Sequence, residues 1–140
     1  SSDVCSSDLQ ATGAMLAQML HNLIRNAFEA QEVAGVTSPV ELRIDVGELD
    51  DWTPPGACVR LGESARLRGA TMDVTVYPGA YHGFDGPSGK VILWKEVTTG
   101  AKPSEGVHVG PDPAARAAAN ESVRAFLRSR LVPAATPNTQ

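Results

Sequence analysis

Two short stretches hold residues whose types suit acid–base chemistry: GELDDWTP at 47–54 and YPGAYHGFD at 77–85. The first offers Asp50 and Asp51, the second His82. A free imidazole titrates near pH 6.5. A carboxylate on one ring nitrogen therefore fixes the tautomer and leaves the other nitrogen a competent base. Taken singly, an aspartate in such a stretch serves as a turn former or helix cap, and a histidine in a glycine turn is structural or solvated. Asp85 reads as a turn residue, and His108, in GVHVG, as a solvated one. Cys58 has the type of a nucleophile. It falls inside a helical pattern three residues after Pro55, however, where a thiol acts as a small apolar residue.

The elements around these stretches follow from hydrophobic periodicity. Val40–Val46 alternates, with Val40, Leu42, Ile44 and Val46 on one face and Glu41, Arg43 and Asp45 on the other, which is a strand. A helix follows to about Arg68, with Thr53 as its cap and Pro54 or Pro55 in its first turn. TMDVTVY, residues 71–77, is a second strand with Met72, Val74 and Val76 inward. Residues 78–112 read as irregular apart from a short strand at Val91–Trp94. Asp112 then caps a closing helix begun by Pro113, whose buried stripe is Val123, Phe126, Leu127 and Leu131. From Val40 onward this is the alternation of an α/β fold with a parallel sheet and flanking helices. Reactive residues in such sheets sit in loops past the strand C-termini. Adjacent strands place those two loops, with Asp50 and His82, side by side.

These motifs resemble the C-terminal part of the dienelactone hydrolase family, within the α/β-hydrolase fold. That family's Gly-x-x-Asp-x-x-x-Pro is met by Gly47, Asp50 and Pro54. Its Tyr-Pro-Gly-Ala-x-His-x-Phe-Asp is met by Tyr77, Pro78, Gly79, Ala80, His82, Phe84 and Asp85. The likeness covers residues 44–131. It implies a carboxylic ester or lactone hydrolase acting on a small molecule, with Asp50 as the acid and His82 as the base of a nucleophile–acid–histidine triad, and no metal or organic cofactor. The nucleophile elbow, Gly-x-Ser-x-Gly or Gly-x-Cys-x-Gly, does not occur in the sequence. The expectation is thus a hydrolase segment without its nucleophile, inactive by itself.

A different resemblance precedes it. Residues 12–33 read as one amphipathic helix built on Leu16, Met19, Leu20, Leu23, Ile24 and Ala27, with Gly35 past its end. Asn22-Leu23-x-x-Asn26-Ala27-x-x-Ala30 is similar to the N-box helix of sensor histidine kinases. That likeness implies Asn26 as a ligand of Mg-ATP. The matching glycine box is incomplete: Asp45-Val46-Gly47 gives its first three positions, and Leu49 stands where the second glycine belongs. An ATP-binding fragment and a noncatalytic α/β module are the alternative functions. Residues 1–9, SSDVCSSDL, resemble a translated sequencing adaptor and are set aside. The organisation expected is therefore chimeric: an artefactual leader at 1–9, a kinase-like helix and strand at 10–43, the hydrolase-like segment at 44–131 and a disordered tail at 132–140.

Composition bounds the rest. The 140 residues are 42% hydrophobic and 20% charged, with a formal net charge of −4. Without Asp3 and Asp8 the acids fall from 16 to 14 against 12 bases, a net charge of −2. Such a balance offers no electrostatic footprint for nucleic acid, and no apolar run reaches the length of a membrane span. The compartment expected is the cytoplasm, with the periplasm as the other option. Setting Cys5 aside leaves Cys58 without an intrachain disulfide partner.

Overall fold

The computed structural model describes residues 18, 22, 24–35 and 39–131. Helix α1 covers 24–34, with Ile24 and Ala27 half-buried and Phe28 and Val33 exposed. The rest of the expected 12–33 stripe, Leu16, Met19, Leu20 and Leu23, lies outside the described residues, as do 1–9 and 132–140.

The alternating segment forms β1, Glu41–Gly47. It pairs in parallel with β2, Thr71–Tyr77, in a register running from Glu41 opposite Thr71 to Gly47 opposite Tyr77. Parallel neighbours need a crossover, and α2, Pro55–Leu67, supplies it. Cys58 and Gly62, one turn apart, are its buried residues. A side chain at Gly62 would run into Val74, so the missing Cβ lets α2 approach β2 closely. Thr53 does not cap this helix. Pro54 stands at the cap position and has no side-chain acceptor to offer, while the Thr53 amide donates to Asp50 in the turn before it.

The stretch expected to be irregular holds more order than its composition suggests. β3, Ile92–Trp94, pairs antiparallel with β4, Val107–Val109, a strand not foreseen from the sequence. The described residues therefore make a mixed α/β fold with two two-stranded sheets. The closing helix α3, Pro113–Leu131, begins as expected, with the Ala115 amide donating to Asp112 Oδ1 at 2.9 Å. Its buried face differs from expectation. Ala115 and Ala119 are buried, Val123 and Phe126 are half-buried, and Leu127 and Leu131 are exposed at 45% and 72%. Small residues dock the first half of α3 on Tyr77, Ala80 and Phe84. The second half meets the start of β1 through Arg130, which grips Glu41 with two bonds of 2.7 Å. No described helix is long and apolar enough to cross a membrane.

Candidate acid–base site

The buried apolar residues gather where the two parallel strands end. Tyr77, Ala80 and Phe84 from the second loop pack with Ala115 and Ala119, and the Tyr77 and Phe84 rings lie 5.0 Å apart. This cluster fixes the backbone that carries His82. Gly79 and Gly83 adopt φ of +71° and +70°, values that L side chains rarely accept, so the glycines are what allow the bend.

The Asp50 turn is tied to that bend. Glu48 N donates to Tyr77 O and Leu49 N to Ala80 O, both at 2.9 Å. Gly47 touches the Ala80 carbonyl so closely that a Cβ there would collide with it. A carboxylate one short turn later is thereby delivered to the histidine loop.

Asp50 is 7% exposed and fully used. Its Oδ1 accepts the amides of Trp52 at 2.9 Å and Thr53 at 2.6 Å. Its Oδ2 meets His82 Nδ1 at 2.9 Å. A carboxylate only accepts, so Nδ1 carries the proton and Nε2 keeps its lone pair. The His82 side chain is 37% exposed, and the Trp52 ring lies 4.8 Å from the imidazole, tilted by 45°. The bond to Asp50 raises the His82 pKa above its ordinary value. Burial opposes that rise, and the charges of Asp50, Asp85 and Asp51 add to it.

Both residues open on a cavity of about 540 Å³ between β1, the histidine loop and α3. Cys58 lines it too, yet its thiol is pushed up, first by burial and then by the Asp50 charge. That is the direction opposite to an activated thiolate.

Asp51 does not face His82. Its Oδ2 meets His108 Nδ1 at 2.7 Å, and its Oδ1 accepts the His108 amide at 2.8 Å. His108, expected to be solvated, is thus bonded twice to a carboxylate. Burial would raise the Asp51 carboxyl, but the His108 bonds outweigh it and hold the pKa below the ordinary value. The doublet Asp50-Asp51 was the one signal for this second pair in the sequence. Trp52 beside the imidazole, and Trp94 edge-on to the Trp52 ring at 5.9 Å, had none.

Of the kinase-like residues, Asp45, Val46 and Gly47 line the cavity, and Asn22 and Asn26 do not. Asn26 is exposed on α1, and Asn22 Oδ1 accepts from Gln18 at 3.2 Å. Asp45 is held by Arg43 at 2.8 Å and by the Tyr77 hydroxyl at 2.7 Å. Among the described residues no three His, Cys, Asp or Glu side chains cluster so as to hold a metal ion.

No family model, curated protein or solved structure matches this chain.

Proposed function

We propose that the chain carries the acid and the base of a carboxylic ester or lactone hydrolase of the dienelactone hydrolase type. The observation that supports this reading best is the buried Asp50 carboxylate, bonded at 2.9 Å to a part-exposed imidazole at the C-terminal end of a parallel strand pair. In that role Asp50 fixes the tautomer and stabilises the imidazolium, and His82 Nε2 takes the proton of the attacking group and returns it to the leaving group. The substrate class is a small ester or lactone. The attacking group is not Cys58, whose thiol is buried at 3% exposure and disfavoured as an anion. Neither it nor the oxyanion donors of an elbow have a candidate among the described residues.

The test is an NMR titration of the His82 ring in the wild-type chain and in Asp50→Asn. The expected midpoint lies above the free imidazole value of about 6.5 and falls in the variant. An unchanged midpoint in a folded Asp50→Asn protein would remove the acid–base reading.

A further inference from the structure

Asp50 can serve His82 only if its turn is held still, and the structure shows what holds it. Three bonds lead from the neighbouring residue, Asp51, to the segment that returns through β4. Its backbone carbonyl accepts the Ala101 amide at 2.7 Å, its Oδ1 the His108 amide, and its Oδ2 the His108 ring. The same strand then reaches the histidine loop. Val109 bridges to His82, Gly110 N donates to His82 O at 2.9 Å, and Asp112 N donates to Phe84 O at 3.0 Å. Val107, one residue before His108, is fully buried, so this strand is anchored and does not drift with solvent. The Tyr81 ring lies 5.1 Å from the His108 ring, tilted by 32°. One strand therefore grips the acid turn with His108 and the base loop with Val109 and Gly110.

We propose that His108 and Asp51 are positioning residues: through β4 they hold the Asp50 turn against His82. The proposal rests on the reading of Asp50 and His82 as acid and base. Adjacent residues in a tight bend send their side chains apart. With Asp51 fixed at its carbonyl and at both carboxylate oxygens, Asp50 has little freedom to turn away. Without the His108 ring bond, Asp51 keeps two of its three ties to this segment, and the Asp50 turn is held less firmly against His82.

Asp51 is itself one of the charges acting on His82, beside Asp50 and Asp85, so the test is made at His108. The His82 ring is titrated by NMR in the wild-type protein, Asp50→Asn, His108→Ala and His108→Asn. Asparagine places an amide N–H where Nδ1 stood and can still donate to Asp51. Should the alanine variant lose its fold, His108→Leu takes its place, filling the volume against Tyr81 without a donor. The expected result is a midpoint lowered by roughly 0.3 pH or more in the alanine or leucine variant, toward the free value of about 6.5, and restored in His108→Asn. A folded His108→Ala or His108→Leu protein that titrates like wild type, while Asp50→Asn does not, overturns the positioning role and leaves the acid–base reading standing. Equal shifts in all His108 variants overturn it as well, since loss of the ring and not of the bond would be the cause. If Asp50→Asn leaves the midpoint in place, the acid–base reading fails and this role with it.

Discussion

At the scale of single residues, the site rests on how each ionisable group is surrounded. His82 gains a partner on folding, so its folded pKa lies above its unfolded one. Its contribution to stability is fully present below the unfolded value of about 6.5 and is lost as pH rises through the folded value. Asp51 works in the opposite sense. Its folded pKa is depressed, so its contribution is present above about 4 and is lost as pH falls through the folded value. Denaturant midpoints across pH should show the first loss in wild type and a smaller one in Asp50→Asn. Cys58 gives a second prediction. In a Cys5→Ser background the folded chain should resist thiol alkylation at neutral pH and react once unfolded, because the thiol is buried and its anion disfavoured. Rapid labelling of the folded chain would make Cys58 a live nucleophile. Asp50 and His82 could be picked from the sequence because their motifs place them in the loops just past the C-termini of the two strands. His108 could not be. A histidine in a glycine-bounded triplet carries no periodic signal, and its partner Asp51 lies 57 residues away.

At the scale of elements, β1, α2 and β2 were legible because period-two alternation and flanking glycines and prolines agree there. β4 was not: three residues between Gly106 and Gly110 are too few for a pattern, and the strand is made by long-range pairing with β3, with further contacts to Asp51 and His82. The stripe of α3 was misread for a related reason. Leucine and phenylalanine dominate a helical wheel, yet the residues of α3 that are buried against the histidine loop are the small Ala115 and Ala119, with Val123 and Phe126 half-buried. Two substitutions separate these cases. Gly47→Ala should destabilise the chain by about 1–3 kcal/mol, since the new methyl meets the Ala80 carbonyl and no flexible side chain can give way. Leu127→Gln should change stability by no more than about 0.5 kcal/mol, because Leu127 is exposed. Chemical denaturation measures both. A large loss in Leu127→Gln would mean that this face of α3 is covered in solution.

At the scale of the whole molecule, the buried apolar residues are concentrated around the strand C-termini, where Asp50 and His82 sit, and a cavity of about 540 Å³ separates β1 from α3. Among the described residues β1 pairs with β2 alone, so its other edge carries no described strand. On the proposed function, Asp50 and His82 act with an attacking group that the described residues do not supply. The 140-residue chain should accordingly hydrolyse a chromogenic ester no faster than its His82→Ala variant. The most direct measurement supplies what is missing: residues 41–131 replace the matching C-terminal segment of a dienelactone hydrolase that keeps its own elbow, and ester turnover is compared with and without His82→Ala. The account predicts a working graft whose turnover falls by about a thousandfold or more when His82 is removed. A folded, active graft that turns over equally well without His82 would contradict it.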